Sequence, residues 1–265
     1  MSVLVIIPAH NEASNLPHVL PSLRRMLPYA AILVIDDHSH DATGSVAQRC
    51  GVTVVQLANN LGYGGAVQTG FRLGAQRGYD YGVMLDADGQ HDPTCVPALL
   101  APVLAGTCDV AVGSRFTGSM TYQASFVRRM GMRFFAAIAS SLTGRPVTDA
   151  TSGFQAMTGE VMAFLSEENY PSDYPDADTL IMLHYAGFRV QEVPVTMHER
   201  LSGKSMHNSI KSLYYIAKML LSITIVYFRY RTHAGAARPL TVVHAVPSDG
   251  PPDGPPDGPP DGPLA

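Results

Sequence analysis

The chain is predicted to be an α/β protein built on a mainly parallel sheet, and three observations predict it. Short apolar runs rich in Val and Ile alternate with segments of helical length through the first half, which is the pattern of βα units. The residues that follow those runs form acidic clusters, and an open parallel sheet gathers its ligand-binding groups beyond the carboxyl ends of its strands. Finally, 46% of the 265 residues are hydrophobic and 15% charged, enough apolar material for one large domain or two small ones and too much for a wholly disordered chain.

In order along the chain, the apolar runs predict strands at 3–7, 31–35, 53–57, 81–85 and 109–112. Helices are expected between them at 16–27, 44–50, 64–76 and 93–103, with Asn15, Thr43 and Asp92 as N-caps because their side-chain oxygens can accept a first-turn amide. A further helix is expected at 127–142. The second half departs from the alternation: 153–158 and 189–197 read as strands with a helix at 178–186 between them, a mixed extension of the sheet. The longest helical candidate is 209–231, with Lys211 and Lys218 seven residues apart and hence near one face. Beyond 232 the apolar periodicity fades into a DGPP repeat, which lacks an amide donor at every proline and reads as an extended, disordered tail. The domain reading is therefore 1–208 as the globular body, 209–231 as an amphipathic helix and 232–265 as tail.

The proline-rich stretch from Pro247 to Pro263 carries Asp249, Asp253, Asp257 and Asp261 and no Lys or Arg, so the formal charge of -4 resides there and the remainder of the chain is neutral. A basic nucleic-acid binder is excluded on that balance. Cys50, Cys95 and Cys108 form no CxxC pair, which argues against a disulfide framework or a structural zinc site and for a reducing cytosol. The apolar run at 3–7 ends at Pro8 without a basic region or a cleavage site, so it reads as a buried strand and not as an export signal. The run at 213–228 is interrupted by Lys218 and falls short of the roughly 20 residues needed to span a bilayer.

The candidate chemistry follows the strands. Pro8-Ala9-His10-Asn11-Glu12 succeeds the first, Asp36-Asp37-His38-Ser39 the second, and Asp86-Ala87-Asp88-Gly89-Gln90-His91 the fourth. In extended chain, residues two apart point the same way, so Asp86, Asp88 and Gln90 are expected to converge. Carboxylates that close repel unless a cation lies between them, and hard oxygen ligands suit Mg²⁺ or Mn²⁺, which fill their remaining positions with water and substrate phosphate. The glycine-rich stretch at 59–66 invites a dinucleotide-binding reading, but Gly62, Gly64, Gly65 and Gly70 do not reproduce GxGxxG and the stretch follows the third strand instead of the first. It reads instead as a helix N-terminus that lets backbone approach a ligand.

PAHNE at 8–12, DDHSHDAT at 36–43, NLGYGGAVQTG at 60–70, DADGQHDP at 86–93, GSRF at 113–116 and DATSGFQ at 149–155 occur in the order and spacing of family 2 glycosyltransferases. Together they resemble the polyprenyl-phosphate branch, the dolichol-phosphate mannosyltransferase-like enzymes, over roughly residues 2–206. The resemblance implies a GT-A fold with helices on both faces of the sheet. It further implies inverting transfer of a hexose from a nucleotide-sugar, GDP-mannose or a UDP-sugar, to a polyprenyl phosphate with Mg²⁺ or Mn²⁺.

By that resemblance Pro8, Ala9, Asn11, Glu12 and Asp37 line the base and ribose, Asp86, Ala87 and Asp88 meet the diphosphate, and Asp86, Asp88 and Gln90 hold the metal. Arg200 and Lys204, with Ser205, match an RxxGxS loop that closes over the diphosphate. Arg115, Arg128 or Arg129, and Ser152 match the acceptor-phosphate side, where arginine's fork suits phosphate oxygens. Asp149 is either a general base or the group that orients Arg115. Gln155 stands where the branch has Arg or Lys, which removes a positive charge from the expected rim of the site, and His198 and His207 are read as hydrogen bonded more than as ligands.

The implied setting is the cytoplasmic face of a membrane, reached either through 209–231 or through a small membrane-protein partner. In that helix Leu213, Ile216, Leu220, Ile223 and Tyr227 form the apolar stripe expected at an interface, with Lys211, Lys218, Arg229 and Arg231 toward anionic headgroups. The other reading of the same stripe is packing on the sheet or on a partner. Two functional alternatives stand beside the main one: transfer to a glycan hydroxyl, and a non-catalytic nucleotide-sugar-binding subunit. The second is disfavoured by the Asp86 and Asp88 pair.

Overall fold

The computed structural model describes residues 1–116, 126–167, 170–171, 176–198 and 209–232. Arg200, Lys204, Ser205, His207 and the DGPP segment lie outside them, as do the side chains of Arg128, Leu213 and Arg231.

The alternation materialises as β1 (Val3–Ala9), α1 (Leu16–Met26), β2 (Ala31–Asp36), α2 (Thr43–Arg49), β3 (Thr53–Gln56), α3 (Gly62–Gln76) and β4 (Tyr81–Met84). A 3-10 turn at Pro93–Cys95 leads into α4 (Val96–Leu104) and β5 (Val110–Ser114). The remainder is α5 (Phe126–Thr143), β6 (Gln155–Thr158), α6 (Gly159–Leu165), α7 (Ala177–Tyr185), β7 (Val190–Pro194) and α8 (Ser209–Thr232). The strands form one sheet in the order β3-β2-β1-β4-β6-β5-β7. All neighbours pair parallel except β6, which runs antiparallel between β4 and β5. The mixed extension expected from the second half is therefore present.

β1 is buried along its whole length because both sheet faces are covered. Leu4 and Ile6 pack with Phe71 of α3, Phe135 of α5, Met162 of α6, Ile181 of α7 and Ile223 of α8 on one face. Val3, Val5 and Ile7 pack with Leu16, Leu20 and Leu23 of α1 and Leu99 and Leu100 of α4 on the other. Helix α3 lies so close to β1 that a Cβ on Gly70 would sit 2.3 Å from Ile6 Cγ2, which accounts for the glycine there.

Several expectations change. Asn15 does not cap α1, since its amide is drawn to the Glu12 carboxylate. Thr43 is the first residue of α2 and not its cap, with its hydroxyl accepting from Glu12 N–H at 2.8 Å. Asp92 does cap, accepting from Thr94 N–H at 2.9 Å. The segments expected as strands from 153 and as far as 197 shorten to β6 and β7, and α6 is a helix the periodicity did not reveal.

The larger change concerns α8. Ile223 of the expected outward stripe is buried, and Ile216 packs against the core beside buried Met219 and Val226. The face that does point outward carries Leu221, Ile225 and Phe228, spaced four and three residues apart. Ile216 and Ile223 of the stripe thus join the core, as its packing reading has it, while Leu220 of the same stripe and a second ladder on the helix are exposed.

Candidate active site

Chain connections run from β1 outward to β2 and β3, then return through α3 to β4 on the other side of β1. Loops leaving β1 and β4 therefore diverge, which opens a crevice at their carboxyl ends. The motif residues gather there.

On the β1 and β2 side the two loops are stitched together. Asp37 N–H donates to Ala9 O at 2.8 Å, and His10 Nδ1 lies 2.7 Å from Asp37 O and donates to it. Asn11 N–H donates to Ser39 Oγ at 3.0 Å while its own Oδ1 accepts from His40 N–H at 2.8 Å. Asn11 and His38 both adopt positive φ, 57° and 55°, and no other described non-glycine residue does. Strained backbone of this kind persists where surrounding bonds over-determine it, which is common at binding sites. The Asp37 carboxylate, 3% exposed, turns to the glycine-rich motif and accepts from Leu61 N–H at 2.7 Å. Pro8, Ala9, Asn11, Glu12 and Asp37 thus share one end of the sheet, as their motifs require.

After β4 the chain does not continue as strand. Asp86 and Asp88 lie in a turn completed by Gly89 at φ 78°, so strand alternation is not what aims them. Asp88 Oδ1 folds back to accept from Gln90 N–H at 3.0 Å. Asp86 Oδ1 accepts from Tyr63 Oη–H at 2.9 Å, and its backbone N–H donates to His91 Nδ1 at 3.0 Å. His91 is buried and stacked 4.9 Å from the ring of Phe154. Burial, with the nearby Arg115 charge, lowers its pKa to about 4, so the ring is neutral at physiological pH. Its Nε2, 3.7 Å from Asp86 Oδ2, is therefore a long neutral contact and not an ion pair. The Tyr63 hydroxyl is pushed well above its ordinary range, first by burial and then by the Asp86 charge, so it stays protonated and donates.

Neither Tyr63 nor His91 was singled out from the sequence, although both lie inside quoted motifs. The signal for each was a polar ring in a turn-forming context.

On the β5 side of the crevice, Arg115 leaves the end of the strand and is clamped by Asp149. Nε to Oδ2 and Nη2 to Oδ1 are both 2.7 Å, a bidentate pair, and the Arg115 backbone N–H adds 3.1 Å to Oδ2. The two side chains are 8% and 0% exposed. Nη2 also reaches Thr151 Oγ1 at 2.9 Å. The same loop carries Gly153, where a Cβ would stand 2.6 Å from Tyr63 Oη and within 4 Å of both Asp86 oxygens. The DATSGFQ and DADGQHDP motifs are thereby in direct contact. Ser152 is buried, and its carbonyl accepts from the Gln155 side-chain amide at 3.0 Å. Gln155 is itself 4% exposed, which corrects the expectation that it stands on the rim. Arg129 is exposed on the first turns of α5, with Arg128 beside it in the helix.

The segment preceding the RxxGxS motif is docked on the same turn. His198 N–H donates to Gln90 O at 2.8 Å, His91 bridges Met197, and His198 Nε2 lies 3.0 Å from Asp92 Oδ2. The hydrogen-bonded reading of His198 therefore holds.

Residues 4–163 match the family model described as Glycosyl transferase family 2. The chain belongs to that family. Among relatives of this glycosyltransferase, the undecaprenyl-phosphate mannosyltransferase of Micrococcus luteus is 35% identical over 213 residues, covering 77% of this chain and 87% of the relative. The polyprenol monophosphomannose synthase of Mycolicibacterium smegmatis is 36% identical over 211 residues, 76% and 79% of the two chains. The solved glucosyl-3-phosphoglycerate synthase of Mycobacterium tuberculosis, in complex with Mn²⁺ and UDP-glucose, aligns with a TM-score of 0.64 at 19% identity, over 85% of this chain and 78% of that one. That likeness establishes the GT-A fold for the glycosyltransferase.

Proposed function

We propose that this glycosyltransferase moves a hexose, mannose in the first instance, from a nucleotide-diphospho-sugar to a polyprenyl phosphate with inversion at the anomeric carbon. The observation that carries the acceptor choice is the Arg115–Asp149 pair. Both Asp149 oxygens are engaged by Arg115, and Thr151 N–H adds 3.4 Å to Oδ1. A carboxylate held that way orients an arginine and is poorly set to take a proton. A hydroxyl acceptor needs a base, whereas a phosphate monoester, with a second pKa near 6, is already an anionic nucleophile at neutral pH and needs positioning. The names of the two relatives, one acting on undecaprenyl phosphate and both on mannose, support the same choice.

The donor side supports a divalent cation. Among the described residues no group of three or more His, Cys, Asp or Glu gathers around one point, so those residues build no closed cage of protein ligands. Asp86 and Asp88, with Gln90, fit an ion that completes its shell with water and diphosphate, as Mg²⁺ and Mn²⁺ do. When bound, that ion would supply charge neutralisation for the departing nucleoside diphosphate. Tyr63 and His91 fix the Asp86 side of that turn, while Pro8, Ala9, Asn11, Glu12 and Asp37 hold base and ribose. Arg200 and Lys204 are assigned to the diphosphate and Arg128, Arg129 and Ser152 to the acceptor by their motifs.

The lipid acceptor implies work at a membrane surface, on its cytoplasmic face. No helix among the described residues is long and apolar enough to cross a membrane. The outward ladder Leu221, Ile225 and Phe228 on α8 fits a lipid interface or a small membrane-protein partner. The test of the donor and of the stereochemistry is incubation with Mn²⁺, dispersed polyprenyl phosphate and either GDP-mannose, UDP-glucose or UDP-N-acetylglucosamine. Organic extraction, assignment of the anomer by NMR on the intact lipid product and only then mild-acid hydrolysis to identify the released sugar should give one preferred sugar, inverted at the anomeric carbon. A retained anomer would overturn the inverting mechanism.

A further inference from the structure

β7 holds a side chain that reaches across the sheet end into the acceptor loop. Glu192 pairs in register with Val112 of β5, and its Oε1 accepts two backbone amides, Thr148 N–H at 2.7 Å and Asp149 N–H at 2.8 Å. Its Oε2 accepts the Thr148 hydroxyl at 2.6 Å. Because a carboxylate only accepts, the Thr148 proton is committed to Glu192. The Ser114 hydroxyl, 2.8 Å away, must therefore donate to Thr148, and Ser114 Oγ in turn accepts from Phe116 N–H at 3.2 Å. The result is a one-way chain from Phe116 through Ser114 and Thr148 to Glu192. Its ends bracket both members of the buried pair: Ser114 and Phe116 flank Arg115, and Thr148 precedes Asp149. The loop at 144–154 has neither helix nor strand to satisfy its amides, so this carboxylate supplies what secondary structure does not.

We propose that Glu192 is the positioning residue of the acceptor-side arginine: one carboxylate on β7 fixes the turn that presents Asp149 and, through Thr148 and Ser114, the strand end that presents Arg115. The inference rests on the reading of Arg115 as the partner of a phosphate acceptor. Glu192 touches no reacting group. Its effect is transmitted as the placement of a guanidinium, where an error near 1 Å can lower the rate about 100-fold.

The experiment measures kcat and KM separately for nucleotide-sugar and for polyprenyl phosphate in the full-length wild type, Glu192→Ala and Glu192→Gln. Glutamine keeps an oxygen for the two amides but places an NH₂ against Thr148. That reverses the hydroxyl chain and leaves the buried Ser114 proton without an acceptor. The expected result is a loss in kcat/KM for the lipid phosphate of about 100-fold in Glu192→Ala and about tenfold in Glu192→Gln. The KM for the nucleotide-sugar should stay within about twofold of wild type, as a merely local fault on the acceptor side requires. Thr148→Val added to Glu192→Gln should cost little more, since the chain is already broken. If Glu192→Ala does not fold, Glu192→Gln alone carries the test. Unchanged acceptor kinetics in the folded variants, or equal losses toward donor and acceptor, would overturn the inference. Absence of transfer to polyprenyl phosphate by the wild type would overturn the acceptor reading and this inference with it, whereas transfer by the wild type with unaffected variants would overturn this inference alone.

Discussion

Asp149→Asn separates the two roles open to that residue, because they predict different unfolding curves. The Arg115 and Asp149 side chains are 8% and 0% exposed, so solvent screens their interaction little. Removing one charge leaves a guanidinium buried without its counter-charge, and breaking a buried pair in this way costs about 3 to 5 kcal/mol. Asparagine keeps one oxygen, which at the Oδ2 position still accepts from the Arg115 backbone N–H and Nε but turns its NH₂ toward Nη2 and the Thr151 amide, so the expected loss is at least about 3 kcal/mol. For a domain of this size that corresponds to a fall in Tm of about 6 to 12 °C. Urea unfolding followed by far-UV circular dichroism measures it directly. Adding Arg115→Met should then restore part of the loss, with a coupling of at least about 1 kcal/mol, because the orphaned cation is gone. Transfer should stay absent in the double variant. An Asp149→Asn protein that unfolds within about 1 kcal/mol of wild type yet has lost transfer would refute the clamp and favour a base.

Three further outcomes follow from the geometry. Gly153→Ala should separate Tyr63 from Asp86, since its Cβ would stand 2.6 Å from the hydroxyl, and raise the Mn²⁺ concentration for half-maximal activity; Tyr63→Phe should reproduce that change without the steric cost. Burial raises the Asp178 pKa above its ordinary 3.8, against bonds from Ser222 and three backbone amides that lower it. The native state then holds its proton to higher pH than the unfolded chain, so stability falls as pH rises from about 4 through the native pKa. Asp178→Asn should flatten that part of the profile and stabilise the protein at pH 8, measured by Tm across a buffer series. Changing Leu221, Ile225 and Phe228 to serine should abolish co-sedimentation with anionic liposomes while leaving Tm nearly unaltered; the same change at Ile216, Ile223 and Val226 should unfold α8 instead.

The first half of the fold was legible because its strands are short and, apart from the edge strand β3, apolar and buried on both faces, so β1 to β5 and the helices between them announce themselves by composition. The capping expectations at Asn15 and Thr43 erred for one reason: Glu12 lies between the two loops and recruits both side chains, a competition visible only in three dimensions. β6 lies within the strand expected at 153–158, but α6 follows it without a loop and is seven residues long, too short for periodicity to reveal. Helix α8 carries two apolar ladders, and only the presence of α7 decides that the one with Ile223 turns inward. The motif residues of the site were readable individually. Tyr63, His91 and Glu192 were not, because what marks them is a partner: Asp86 for the two rings and, for Glu192, the turn at 148–149.

The central claim, that an anionic lipid phosphate is the acceptor at a site governed by Asp86 and Asp88, is tested most directly by a matched pair of acceptors. Nucleoside diphosphate release from GDP-mannose with Mn²⁺ is measured for the full-length protein with a polyprenyl phosphate and with the same polyprenol bearing a free hydroxyl, in wild type and in Asp88→Ala. Release with the phosphate only, and none from Asp88→Ala or in EDTA, is the result expected. Release with the alcohol at a comparable rate, or full activity of Asp88→Ala, would contradict it.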